Sequence, residues 1–323
     1  MLQDDINLIR ERLAKAKKIA IYAHIRPDGD SVGSSLGLGR ALMDAGKQVQ
    51  FVCEDPIPEK FAFLYPILGL SGCPYDSEPD ADVDCVVTPD ISSPDRCGDY
   101  YFSHPDRRAD ICIDHHISNV GYAKLNWVEG ETPAACYVIT GILEKLGLKF
   151  TPAVASALLC GLITDTNSFS TSNVNSEAFR RAAFLVDQGA DVFNICHNAY
   201  KVHNAEDLAL WKLGMAGMRV EDGGLIWTSF SRADREAAGI HSDEDAGFVS
   251  YMLNTIGMKV SVLFIELDPC HTKISWRGLP GYDVSKLAVS FGGGGHKAAS
   301  GATLNCGLED TIRQVLERTR QIL

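Results

Sequence analysis

Polar and apolar positions in the first half of the chain fall into short blocks. Lys18 to Ala23 is an apolar run, His24 to Asp30 a polar loop, and Ser31 to Ala45 a helical stretch rich in small residues and leucine. The order is strand, loop, helix. Gln48 to Cys53 predicts a second strand after Gly46, and further buried-looking runs stand at Val83 to Val87 and Ile111 to Ile113. Turn residues and helical stretches separate them, the alternation expected of a parallel sheet covered by helices. Helices at Pro133 to Leu146 and Pro152 to Leu162 carry proline in their first turns, and Gly147 and Gly189 suit helix ends.

The pattern changes near His197. Polar, mixed sequence runs to Asn204 before a helix containing Leu208, Trp211 and Leu213. This predicts a first α/β domain over residues 1–196, a linker over 197–206, and a second, smaller α/β domain over 207–323. Candidate strands in the second domain are Gly224 to Phe230, Val260 to Leu267 and Thr272 to Arg277, followed by helices at Val284 to Phe291 and Leu308 to Ile322. Between those helices lies Gly292-Gly293-Gly294-Gly295-His296-Lys297, a backbone almost without side chains.

Composition narrows the function classes. With 323 residues, 46% hydrophobic and 22% charged, the chain has the apolar content of a globular protein and the length for two domains. No apolar stretch approaches the roughly 20 residues that span a bilayer, and the first residues lack a signal-peptide layout, so a cytoplasmic protein without membrane contact is expected. The ten cysteines are scattered without a CxxC pair and read as reduced thiols; Cys53, Cys85, Cys112 and Cys160 lie in or beside apolar runs. A net charge of -12 opposes binding to long duplex nucleic acid. A small phosphorylated substrate stays compatible with it, because metal ions reverse the local field inside a cleft.

Four sites carry candidate chemistry, each at the end of an apolar run. His24-Ile25-Arg26-Pro27-Asp28-Gly29-Asp30 follows the first strand, where open α/β sheets bind ligands, and its turn gathers one imidazole and two carboxylates. The competing reading is a capping turn, with Asp30 at the N-terminus of the next helix. Asp90 follows the strand at Val83 to Val87, and Asp165 follows Leu162-Ile163-Thr164; alone, each reads as an ordinary loop or helix-end acid. Asp114-His115-His116 is different, because three adjacent titratable groups leaving a buried strand are costly unless paired or bound to a cation. If these ends share one sheet edge, oxygen ligands with a minority of imidazole suit Mn²⁺ or Mg²⁺, with Fe²⁺ or Co²⁺ as substitutes. Two such ions, about 3.5 to 4 Å apart, clamp an in-line phosphoryl displacement.

In the second half, the glycines permit a concave array of backbone donors for an anion, and Arg277 offers bidentate phosphate recognition. A flexible linker and a surface charge are the plain alternatives. Trp276, beside Arg277, reads as a core residue or a surface for stacking a base.

His24-x-x-x-Asp28-x-Asp30, Asp90, Asp114-His115-His116 and Asp165 resemble the motifs of the DHH phosphoesterases. Arg277 and Gly292-Gly293-Gly294-Gly295-His296-Lys297-Ala298-Ala299-Ser300-Gly301 resemble that family's DHHA1 domain. The resemblance covers nearly the whole chain, and the compact length resembles the oligoribonuclease and pAp-phosphatase branch. It implies an active site in a cleft between the domains, with two divalent ions, Mn²⁺ expected and Mg²⁺ or Co²⁺ as substitutes. By the same resemblance His24 and Asp28 hold one ion, Asp30, His115 and Asp165 the other, and Asp90 bridges both. His116 faces the scissile phosphate, Asp114 orients a histidine, and Arg277, Gly293, Gly294, Gly295 and His296 hold substrate. The implied activity is hydrolysis of short oligoribonucleotides and of the 3′-phosphate of pAp, with a homodimer as a further expectation. The alternatives are hydrolysis of linear dinucleotides such as pApA or pGpG, or a catalytically idle nucleotide-binding regulator. Two positions depart from the family pattern: Thr88-Pro89 precedes Asp90, and Asn167 stands where glycine is common.

Overall fold

The computed structural model describes residues 2–104, 108–240, 243 and 245–323. The chain divides into two compact units, Met1–Val202 and His203–Leu323. The expected linker is largely helical: Val192–Tyr200 takes its beginning and Ala205–Gly217 its end, leaving Lys201 to Asn204 between them. Among the described residues no helix is long and apolar enough to cross a membrane.

In the first unit seven strands form one sheet among the described residues: β1 (Leu2–Gln3), β2 (Lys18–Tyr22), β3 (Gln48–Val52), β4 (Tyr75–Asp76), β5 (Cys85–Pro89), β6 (Ile111–Asp114) and β7 (Leu125–Val128). Their order is β1-β7-β6-β5-β2-β3-β4, and all neighbours are parallel except β1 against β7. The order runs one way from β2 to β3 and the other way from β5 to β7. The reversal point therefore lies between β2 and β5, and a crevice at their carboxyl ends is where such sheets take ligands. Alternation within β2 feeds two cores: Ile19 and Ile21 pack on one face, Ala20 and Tyr22 on the other. Each fully buried isoleucine contributes about 1.5–3 kcal/mol relative to exposure, which holds the strand that carries His24 in place.

The helix Gly29–Asp44 begins two residues before the sequence pattern places it, and Asp28 caps it by accepting from the backbone N–H of Asp30 and Ser31, each at 3.0 Å. Its small residues serve close packing on the helix Pro152–Asp165. A Cβ on Gly33 would lie 2.5 Å from the Ala157 carbonyl oxygen, and one on Gly161 would lie 2.6 Å from Asp30 Oδ1. Only hydrogen at both positions permits that approach. Pro133 precedes the helix Ala135–Leu146 and does not sit in its first turn, whereas Pro152 does open its helix.

The second unit carries a mixed sheet of β8 (Arg219–Glu221), β9 (Leu225–Phe230), β10 (Val260–Asp268), β11 (His271–Gly278), β12 (Gly294–His296) and β13 (Ala299–Leu304), in the order β12-β13-β11-β10-β9-β8. Among the described residues only the β9–β10 pair of this sheet is parallel. Trp276 is fully buried among Val262, Ile274 and Val284 and stacks on Phe291 with ring centroids 6.1 Å apart, so the stacking role considered for it is set aside. The glycine-rich segment forms an edge hairpin with β13, where a concave loop of donors was expected: Gly294 pairs with Gly301 and His296 with Ala299. Glycine is required there by packing, since a Cβ on Gly293 would lie 2.1 Å from the Gly301 carbonyl oxygen.

Candidate metal centre

The carboxyl ends of β2, β5 and β6 bring His24, Asp90, Asp114, His115 and His116 to one place. The start of the helix Gly29–Asp44 adds Asp28 and Asp30, and the end of the helix Pro152–Asp165 adds Asp165. Three groups form, and inside each one the ligand atoms lie within 4.8 Å of one another: His24, Asp28 and Asp90; Asp30, His115 and Asp165; and Asp90, Asp114, His115 and His116. Asp90 joins them. Its Oδ2 lies 3.6 Å from His24 Nε2 and its Oδ1 lies 3.4 Å from His115 Nε2. It reaches this position through a left-handed backbone with φ of 58°, immediately after Pro89, which still pairs with Ile113 in the ladder. Asn167 likewise adopts φ of 45°, a conformation that asparagine tolerates better than most residues, which is why it serves where glycine is common.

Hydrogen bonds aim the imidazoles. His24 Nδ1 lies 2.8 Å from the Ile25 carbonyl oxygen, and His115 Nδ1 lies 3.1 Å from that of Thr132. In both rings Nδ1–H donates to the carbonyl and Nε2 faces the carboxylates, the orientation in which a neutral ring would offer its Nε2 lone pair to a cation held among them. His115 Nε2 is 3.5 Å from Asp165 Oδ2 and 3.9 Å from Asp30 Oδ2. His116 is turned differently: its Nδ1 is 2.8 Å from Asp114 Oδ1, and Asn119 Nδ2 donates to the other Asp114 oxygen at 2.6 Å. Asp30 does not cap its own helix. It accepts from the N–H groups of Ala135 at 2.5 Å and Cys136 at 3.0 Å, and so satisfies the open end of the helix Ala135–Leu146, 105 residues further along the chain.

Five carboxylates and three imidazoles share this volume, so acidic groups outnumber basic ones. Burial, reinforced by the charge of Asp90, pushes the Asp30 carboxyl up to about 7. Burial and the charge of Asp30 raise Asp165 well above the ordinary carboxylate range. Burial opposes ionisation of His24, but the carboxylates of Asp28 and Asp90 outweigh it and raise its pKa to about 10. Asp90 Oδ1 is buried and has no hydrogen-bond partner among the described residues. A buried carboxylate oxygen left unsatisfied is costly, and a cation at that point removes the cost. The donor set is hard. Burial holds the nearby Cys136 as a thiol, with its pKa raised well above the usual value, so oxygen and imidazole are the ligands on offer. These residues fit divalent cations of the Mn²⁺ and Mg²⁺ type.

In the second unit Arg277 Nε donates to Ser250 Oγ at 3.2 Å and Nη1 to the Trp276 carbonyl at 2.9 Å. Burial lowers its pKa from the usual guanidinium value. Gly293 turns into the hairpin, Gly294, Gly295 and His296 form its exposed edge strand, and the His296 carbonyl accepts from Ser300 Oγ at 2.6 Å. The sequence pattern did not single out Thr132, Asn119 or Arg96, which touch His115, Asp114 and His24 respectively. No local signal marks them, because each meets its partner only through the fold.

A parallel α/β sheet with a carboxylate and imidazole cluster at its topological switch point offers a set of donors that could hold divalent metal ions. The chain belongs to the DHH family: residues 18–162 match the DHH family N-terminal domain, and residues 229–323 match the DHHA1 domain. It is 30% identical over 306 residues to the bifunctional oligoribonuclease and PAP phosphatase of Thermus thermophilus, covering 94% of this chain and 90% of that one. The protein of the same description from Bacillus subtilis is 23% identical over 292 residues, covering 88% and 89%. The fold is shared with the crystal structure of an exopolyphosphatase-related protein from Bacteroides fragilis, at a TM-score of 0.85 and 23% identity over 98% of this chain and 97% of that one.

Proposed function

We propose that the chain is a metal-dependent phosphoesterase that hydrolyses short oligoribonucleotides and the 3′-phosphate of pAp. The observation that carries this reading is the position of Asp90, whose two oxygens each face one of two separate ligand groups. His24 and Asp28 would hold one divalent ion, Asp30, His115 and Asp165 a second, and Asp90 both. When bound, such ions supply Lewis-acid charge to phosphoryl oxygens and make a coordinated water acidic. The chain's own residues do the rest. Asp114, steadied by Asn119, holds His116 by Nδ1, so that Nε2 is the atom that passes a proton to the leaving oxygen or stabilises its charge. Arg277 and the hairpin at Gly293, Gly294, Gly295 and His296 engage the remaining phosphate and nucleoside. The names carried by the Thermus thermophilus and Bacillus subtilis relatives support this substrate class.

The test is a panel of pAp, pApA, pGpG and RNA oligomers of two to ten nucleotides, with added Mn²⁺ and with a chelator. Hydrolysis should stop on chelation, return best with Mn²⁺, and fall in kcat/KM beyond about five nucleotides, because the net charge of -12 repels added phosphates. Efficiency that rises with length refutes the short-substrate reading, and metal binding without turnover of any substrate refutes the enzyme.

A further inference from the structure

Arg96 stands out as a cation beside the cluster that pairs with none of its carboxylates. It lies in a 3₁₀ turn, Pro94–Cys97, that follows the strand bearing Asp90. Its backbone carbonyl accepts from the Ile25 N–H at 2.9 Å, which ties that turn to the loop carrying His24. Its guanidinium Nη2 lies 3.1 Å from His24 Nδ1. Among the described residues the guanidinium makes no ion pair and no other hydrogen bond, although the side chain is half-buried.

The contact with His24 cannot be a hydrogen bond while Nε2 serves as a metal ligand. Nδ1 then carries the proton and donates to the Ile25 carbonyl at 2.8 Å, and a guanidinium N–H has no lone pair to meet there. With His24 oriented as a ligand, Arg96 is held against the ring edge with its donors uncommitted. Five N–H donors in a planar fork match phosphate oxygens. The acidic groups face the opposite edge of the same ring, where Asp28 Oδ1 and Asp90 Oδ2 lie 3.7 and 3.6 Å from Nε2. A phosphate drawn to cations at that edge has, across the width of one imidazole ring, a guanidinium the protein has not neutralised.

We propose that Arg96 is a phosphate-binding residue of this site, donating to a non-bridging oxygen of the phosphate being cleaved. The proposal rests on the phosphoesterase reading above, and it adds to the substrate contacts a residue from the metal-bearing unit itself. It makes no demand on the residues of the second unit.

The test compares wild-type protein with Arg96→Ala and Arg96→Lys, loaded with Mn²⁺. Metal content and affinity are measured by titration, affinity for inorganic phosphate by calorimetry, and KM and kcat on pAp by phosphate release. Arg96→Ala should weaken phosphate binding and raise KM about tenfold or more, with Mn²⁺ stoichiometry unchanged and Mn²⁺ affinity within about twofold. Arg96→Lys, which keeps charge and loses the fork, should recover part of the phosphate affinity. Loss of Mn²⁺ affinity with phosphate affinity per loaded site unchanged overturns the proposal and makes Arg96 a support for the His24 loop. Phosphate affinity and KM both within twofold of wild type also overturn it. If the wild-type protein hydrolyses no phosphoester, the proposed function fails on its own, and the phosphate-binding comparison still decides the role of Arg96.

Discussion

Replacing Gly33 by alanine tests whether the approach of two helices positions the metal ligands. The added Cβ would lie 2.5 Å from the Ala157 carbonyl oxygen and 2.9 Å from the Gly161 backbone nitrogen, whereas ordinary contact begins near 3.4 Å. Both obstacles are backbone, so the helices Gly29–Asp44 and Pro152–Asp165 must part by about 0.9 Å. In an unencumbered helix the same change would add about 1 kcal/mol through helix propensity. Overpacking here costs about 1–3 kcal/mol and outweighs it. The net loss, up to about 2 kcal/mol, should lower the melting temperature by up to roughly 8 °C. Function should suffer more, because Asp30 opens one helix and Asp165 ends the other. Displacement of a reacting geometry by about 1 Å can cost 10²-fold in rate, and we expect a loss of that order in kcat, with Mn²⁺ affinity down about 10-fold or more. Gly37→Ala meets side chains, Leu158 at 2.8 Å and Ala157 at 3.5 Å, one turn further from Asp30, and should be milder. Thermal unfolding with and without Mn²⁺, metal titration and pAp hydrolysis measure the three effects. A Gly33→Ala protein as stable as wild type, with unchanged metal affinity, would refute the argument that this helix contact places the site.

Three further outcomes follow from the same geometry. Asp90→Asn keeps the shape of the side chain and removes the charge shared by the two ligand groups, so turnover should fall at least 10³-fold, roughly 4 kcal/mol of transition-state stabilisation, together with Mn²⁺ stoichiometry; near-normal kcat with full metal content would contradict the bridging role. The metal-free protein should lose stability between about pH 4 and 7 as Asp30, whose folded pKa stands near 7 against an unfolded value near 4, must ionise in place, and again as His24 loses its proton between its ordinary value near 6.5 and about 10. Saturating Mn²⁺ should flatten that profile in thermal unfolding, and Mn²⁺ affinity should rise from pH 5 to 8; a flat metal-free profile would count against the charge assignment. Arg277→Ala and His296→Ala should raise KM with metal content intact, and equal loss of metal in these variants would place their effect elsewhere.

Much of the candidate metal site is legible in the amino-acid sequence, because it depends on one local rule. Residues that follow buried strands of a parallel sheet come out at the same edge, so His24, Asp90 and Asp114-His115-His116 had to be neighbours once the strands were placed. The acidic residues after β2 are legible for the same reason, although the choice between metal ligand and helix cap is not: Asp28 caps its own helix, and Asp30 a distant one. The boundary between the units is visible as a change of pattern, and the glycine-rich segment as an unusual backbone.

What the tertiary structure alone decided are the contacts between residues far apart in the chain. Asp165 is a helix-end acid by sequence, and it reaches Asp30 and His115 because Gly33 and Gly161 let two helices approach to backbone contact. Thr132, Asn119 and Arg96 acquire partners 17, 5 and 72 residues away, and no periodicity encodes such pairings. The four glycines, read as a loop of free donors, became an edge hairpin because β13 offered a strand to pair with. Periodicity is a property of neighbours along the chain, and it fixes elements and the ends at which side chains emerge. Which imidazole nitrogen faces the carboxylates, and which carboxylate goes unpartnered, depend on close packing and hydrogen-bond geometry that exist only after the elements have come together.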